Sequence, residues 1–138
     1  YRDTYDRFDL PNIEVFKKQI KGLRKLLMIA KPDKAQSRDL DYLLTLGELF
    51  TLVVYGHLIL EKALMDTTDP DLLNQMFGVF VRDFSGYATE LYGKPSNSRI
   101  QQKMIRKLIK APEPDMEQCE RVWGEHLFAL AGQYEMAD

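Results

Sequence analysis

Between Asp39 and Met65 the chain runs for more than two dozen residues without a proline, and its apolar side chains fall on nearly every side of a helix. Leu40, Leu43, Leu46, Phe50, Val53, Val54, Leu58, Ile59 and Leu64 leave little of the wheel polar. A helix that is apolar all round is expected to be buried by several neighbours. The flanking segments are suited to be those neighbours. Ile13, Phe16, Ile20, Leu23, Leu27 and Ala30 repeat at steps of three and four, after Asp9 as a cap and Pro11 in the first turn, and end near Pro32. Asp69 and Pro70 open a third helix marked by Leu73, Phe77, Phe80, Phe84, Tyr87 and Leu91, which Gly93 and Pro95 stop. Ser96 to Ser98 cap a shorter fourth helix carrying Ile100, Met104, Ile105 and Leu108, closed by Pro112 and Pro114. Asp115 with Gln118 reads as a capping box for a last helix, whose buried stripe is Cys119, Val122, Trp123, Leu127, Leu130 and Tyr134.

No segment alternates apolar and polar side chains long enough for a strand, and no fixed-period repeat occurs. The expectation is one all-α domain over residues 1–138, an up-and-down bundle of four to five helices with antiparallel neighbours. Phe50, Phe77, Phe80, Phe84 and Trp123 are expected in its core. Gly47, Gly56, Gly78, Gly86, Gly124 and Gly132 fall inside helices, where each costs about 1 kcal/mol relative to Ala; close helix crossings would account for them.

Of 138 residues, 45% are hydrophobic and 29% charged, enough for one core and a hydrated surface. The uncharged stretch around Phe50 to Leu60 is shorter than the roughly 20 apolar residues of a membrane span, so none is expected. The single cysteine, Cys119, forms no internal disulfide and suits a reducing compartment, the cytoplasm. Tyr1 in place of a starting Met reads as a cut edge, the chain being a C-terminal fragment of something longer. A net charge of −2 gives no overall attraction for nucleic acid or anionic lipid, and such a partner would need a local patch.

The chemistry-bearing residues are few. A glycine-rich phosphate turn between strand and helix is missing, two histidines with one cysteine make no recognisable zinc set, and Glu125-His126 with His57 and Glu61 lack the di-iron pattern. No catalytic, cofactor-binding or metal residue is therefore predicted. His57, one turn before Glu61, could form an acid-base couple; the preferred reading is an interior imidazole satisfied by Glu61 or a backbone carbonyl. His126 and Cys119 share one helix at a separation of about 10 Å, too far for a nucleophile and its base. Asp83 stands at the edge of an apolar face, favouring a boundary salt bridge. Two basic clusters remain: Lys17, Lys18, Lys21, Arg24 and Lys25 on the first helix, and the tighter stripe Lys103, Arg106, Lys107 and Lys110 on the fourth. Such stripes are usually solvated, though they can dock nucleic acid, an acidic protein or coenzyme phosphates. Neither has the interleaved aromatics that stacking on bases requires, so nucleic acid is disfavoured.

Three stretches carry a resemblance: LFTLVVYGHLILEKA from Leu49 to Ala63, VRDFSGYATELYGKPSNS from Val81 to Ser98, and ERVWGEHLFALAGQYEM from Glu120 to Met136. In this order the chain resembles the extra C-terminal helical domain of some bacterial acyl-CoA dehydrogenases. The resemblance implies a parent oxidoreductase of fatty acid metabolism that converts acyl-CoA thioesters to 2-enoyl-CoA, a flavoprotein with FAD as hydride acceptor. It also implies that FAD and thioester are held by preceding domains, so that this fragment binds no cofactor itself. Its partners would then be the upstream catalytic body or a second copy of the chain, and its contribution packing or oligomerisation. Two alternatives stay open: a free-standing helical adaptor that binds an acidic partner through the Lys103–Lys110 stripe, and a small helical enzyme built on His57 and Glu61.

Overall fold

The computed structural model describes residues 2–133 and forms a helical bundle, without strands among those residues. Its helices are α1 (Arg2–Tyr5), α2 (Pro11–Ile29), α3 (Leu40–Asp66), α4 (Pro70–Tyr92), α5 (Arg99–Arg106) and α6 (Met116–Val122). α4 is central and packs along α2, α3, α5 and α6. Thr45 near the start of α3 bonds Glu90 near the end of α4, so these two helices are antiparallel. Asn12 meets Asn74 and Gln19 meets Val81, so α2 and α4 run parallel, as an up-down-up order requires.

The buried seams keep the alternating three- and four-residue steps of a heptad: Asn12, Phe16, Gln19, Leu23 and Leu26 on α2, and Asn74, Phe77, Val81, Phe84, Ala88 and Leu91 on α4. Tyr42, Leu46, Leu49, Val53, Gly56, Leu60 and Ala63 do the same on α3. Side chains spaced this way meet a neighbouring helix along its whole length. Phe16 is the hub, with ring centroids of Phe77, Phe80 and Phe84 at 5.6–5.8 Å. These tilted and edge-on contacts add to the apolar area removed from water.

The segment ahead of α2 is helical at Arg2–Tyr5 and partly interior. Tyr5 is buried, its ring lies against Phe16 and Phe77, and its hydroxyl donates to the Val53 carbonyl at 2.8 Å. Gly56 admits it: a Cβ there would stand 2.6 Å from the Tyr5 hydroxyl and 3.0 Å from Phe16. The crossing expected at Gly78 is also present, against Asn12, whereas Gly47, Gly86 and Gly124 face open space and Gly132 lies beyond the helices at a φ of 84°. Close packing therefore accounts for only part of the glycine content.

Capping follows the sequence in some places and tertiary contacts in others. Asp69, Ser98 and Asp115 cap α4, α5 and α6, and Ser98 closes a full capping box with Gln101. Asp9 does not cap α2: Leu10 holds that position, and the Asn12 N–H is taken by the Asn74 side chain from another helix. The box at α6 is only half made, because the Gln118 amide reaches Asn74, Gln75 and Asp71 instead of its own cap. The buried stripe of the last helix also ends early. Val122 is interior, but Trp123, Leu127 and Leu130 are about half exposed, and Tyr134 lies outside the described residues. Past Val122 the backbone widens into a π-helical turn at Trp123–Leu127 and then tightens into a 3-10 turn at Phe128–Leu130.

Between α5 and α6 the chain is not helical, and it lies in the groove of α2 and α4. Such backbone must find partners away from water. Gln19 donates to the Leu108 carbonyl at 3.0 Å, Ser85 bonds both the N–H and the carbonyl of Lys110, and Asn12 accepts the Glu113 N–H at 2.7 Å. Replacing Asn12 by Leu strands the Glu113 N–H and takes a second donor from the Asn74 carbonyl, and is expected to lower unfolding free energy by about 2–3 kcal/mol in urea titrations. Asp9→Ala, at the position that caps nothing, should stay within about 0.5 kcal/mol of the parent protein. At Gly47 an alanine meets nothing and should raise stability by up to about 1 kcal/mol, while the same change at Gly56 displaces Tyr5 and should lower the Tm.

Candidate functional site

α3 departs most from expectation. Its inner seam is buried, yet its outer face is covered by nothing among the described residues. Leu40, Leu44, Val54, Tyr55, Leu58 and Met65 are between 52% and 77% exposed, and Phe50, placed in the core by its hydrophobicity, is 45% exposed. On a helical wheel Leu40, Leu44, Gly47, Thr51, Val54 and Leu58 form one uncharged strip, with Asp41, Glu48, Glu61 and Asp66 along its edges. The bundle holds α3 at one side of α4 and supplies no second layer. By length and composition α3 is also apolar enough to cross a membrane, which the uncharged-stretch criterion had ruled out; one-third of its most apolar window is buried in the bundle. The two criteria differ because a hydropathy average tolerates an isolated acidic residue such as Glu48, and a packing helix of a bundle meets the same length and composition.

The ends of α3 and α4 are tied by charge. Lys94 bonds Asp41 and lies 3.9 Å from Glu90, and its ammonium is held above the ordinary lysine range, first by the Asp41 hydrogen bond. Tyr42 donates to Asn97 in the loop that follows α4. The orientation of the exposed α3 strip is thus fixed at its N-terminal end.

His57 and Glu61 come together as their spacing requires, with Nε2 3.1 Å from Glu61 Oε1. The His57 ring also stacks near Tyr5, at 6.4 Å between centroids. Glu61 is half exposed, and His57 is mostly covered. Asp83 sits at the helix boundary, with Arg82 at 3.5 Å.

The basic stripe is not a single helical row. α5 ends at Arg106, so Lys107 closes the helix and Lys110 lies on the non-helical segment, its backbone fastened to Ser85. Lys103 and Arg106 stay on one face of α5, and Arg99, absent from the sequence reading, joins them. With Gln102 and Tyr92 they line a shallow cleft of about 260 Å³. The aromatic neighbour that the cluster lacked in sequence is supplied by the last residue of α4.

The π-helical turn of the last segment brings a third group together. His126 Nε2 lies 2.8 Å from Asp69 Oδ2, and the nearest ligand atoms of Asp69, Glu125 and His126 are all within 4.8 Å of one another. Two carboxylates and an imidazole are a donor set that a divalent ion accepts. Asp69 is already committed on both oxygens, to the Asp71 N–H as a helix cap and to His126, and Glu125 is exposed. The group therefore serves to fasten the last segment to the start of α4. Sequence spacing pairs Glu125 with His126 but gives no sign of Asp69, nearly sixty residues away.

Beside it, Asp71 accepts from Arg121 Nε at 3.0 Å and from the Gln118 amide at 3.0 Å. These two hydrogen bonds, Arg121 foremost, hold the Asp71 carboxyl below its ordinary value. A carboxylate depressed in the folded state stabilises it above the unfolded pKa, and that contribution disappears as pH falls through the folded value. Acidification below about pH 4 should accordingly release α6 from α4 before the rest of the bundle opens. Fluorescence of the single tryptophan, Trp123, and amide exchange in α6 would report it; Asp71→Asn should remove the acid step and leave α6 loosened at neutral pH.

Compared with models of protein families, with curated proteins and with solved structures, the chain matches none, so its role is to be read from the chemistry of its own surfaces.

Proposed function

We propose that this chain is an accessory packing domain, whose outer α3 face lies against a larger protein body, and that this body is the FAD-dependent acyl-CoA dehydrogenase implied by the resemblance. The observation that carries the reading is the uncovered apolar strip from Leu40 to Leu58, continued at Met65. Contiguous exposed apolar surface rimmed by charge marks a place of association, because leaving it in water forgoes about 25 cal/mol for each Å² of apolar surface. A protein surface fits better than a lipid one. Helices that lie on anionic membranes carry Lys and Arg along their polar edge, whereas α3 is edged by Asp41, Glu48, Glu61 and Asp66 against Lys62 alone.

In this reading the chain contributes area and orientation, and the reaction belongs to the body, which binds FAD and the thioester. The lone Cys119 accords with a cytoplasmic setting.

Leu44→Lys with Leu58→Lys places two charges on the strip, where both side chains are exposed, so the Tm of the chain should be unchanged. Expressed beside the catalytic body that precedes it in the longer protein, the parent chain should co-purify and the double variant should not. Equal recovery of both would reject the docking surface. A longer protein whose upstream part is not an acyl-CoA dehydrogenase would reject the enzyme assignment while leaving the surface standing.

A further inference from the structure

The segment 93–112 carries six cations, Lys94, Arg99, Lys103, Arg106, Lys107 and Lys110, and no acidic residue, in a chain of net charge −2. With the acid-free run of α2 that holds Lys17, Lys18, Lys21, Arg24 and Lys25, it is one of two stretches where positive charge gathers in an otherwise acidic chain. Some cations are matched, Lys17 by Glu14, Lys62 by Asp66, Lys94 by Asp41 and Arg121 by Asp71. Arg99, Lys103 and Arg106 have no carboxylate within ion-pair distance among the described residues. They stand at i, i+4 and i+7 on α5, and all three line the cleft with Gln102 and Tyr92. Like charges converging on one face repel each other. An anion in the cleft removes that repulsion.

The lining indicates which anion. Arginine forks match pairs of phosphate oxygens, a lysine adds a compact charge, and Gln102 offers an uncharged N–H donor. A volume of about 260 Å³ falls just below the roughly 300–1,000 Å³ of sites that enclose a drug-sized molecule, so the cleft takes linked phosphates and leaves the rest of their carrier outside. Tyr92, 39% exposed at the rim, presents a ring to that carrier. A nucleic-acid strand needs a basic groove with successive aromatic platforms, and only one aromatic residue lines this cleft. We infer that the cleft between the end of α4 and α5 binds the pyrophosphate group of a small molecule. The inference does not depend on the α3 surface or on the identity of any larger body.

The test titrates the full 138-residue chain with inorganic pyrophosphate and with ADP at 0.15 M ionic strength, following amide resonances by NMR. Saturable shifts are expected at Tyr92, Arg99, Gln102 and Arg106. Arg99→Gln with Arg106→Gln should weaken binding at least tenfold, whereas Lys18→Gln with Lys21→Gln, an equal charge change on exposed α2 positions, should alter it less than twofold. Tighter binding of ADP than of pyrophosphate, lost in Tyr92→Ala, assigns a nucleotide carrier; equal affinity in both arms assigns the bare diphosphate group. The inference is overturned by shifts that never saturate, by sulfate competing as well as pyrophosphate, by equal loss in both charge variants, or by a single-stranded RNA binding more tightly as its length grows.

Discussion

A non-helical stretch of backbone lies in the groove between two helices, and most of the interior polar chemistry answers to it. Peptide groups buried without partners would cost more than the packing of the groove returns. Asn12 and Gln19 therefore sit where a coiled seam would ordinarily place aliphatic residues, Ser85 stands beside the α4 seam, and each bonds the main chain of the segment that leads from α5 to α6. Polar residues at seam positions also set register. Asn12 can serve both Asn74 and Glu113 only when α2, α4 and the segment stand at one relative height. A second amide pair at the far end, Gln36 with Gln101, is reciprocal at 2.9 and 3.0 Å, and Gln101 also donates to the Ala30 carbonyl just past α2. The two sets pin opposite ends of the bundle.

With α2, α4 and the connecting segment joined this way, α3 packs from one side only. Its heptad seam supplies the antiparallel contact with α4, and Tyr5 fills the space between α3 and α2. One apolar face is satisfied and the other is left over. A helix hydrophobic all round meets more demand for burial than this small bundle can supply, since a domain of this size still leaves about a third of its unfolded surface in water. The leftover face is what makes an association surface the favoured reading of the molecule.

At the opposite side of α4, α6 is held by polar contacts more than by apolar ones. Gln118, Arg121 and His126 reach Asp71 and Asp69 at the start of α4, and Val122 is the one large apolar residue of the last segment that is fully interior among those described. Ionic and hydrogen-bonded attachment at a surface is weaker than burial and depends on protonation. For this segment the Asp71 carboxyl, held below its ordinary value by Arg121 and Gln118, is the group that ties the attachment to pH.

The helical class, the breaks at Pro70 and Gly93, and the caps at Asp69, Ser98 and Asp115 were legible in the sequence because each depends on residues within a few positions of one another, whereas the fourth helix ends at Arg106, ahead of the proline expected to close it. So was the meeting of His57 with Glu61, one turn apart on a single helix. Where partners lie far apart along the chain, local patterns were silent or misleading. Asp9 looked like a cap until Asn74 took the N–H it would have served, and Trp123 and Phe50 looked like core because hydrophobicity states a demand for burial without saying whether a neighbour exists to meet it. Arg99 and Tyr92 entered the basic cleft only when the turn after α4 folded α5 back beside it. The apolar length of α3 was thus written in the sequence by itself, but which half of that helix is covered was decided by tertiary structure, since burial is a property of what stands on the other side.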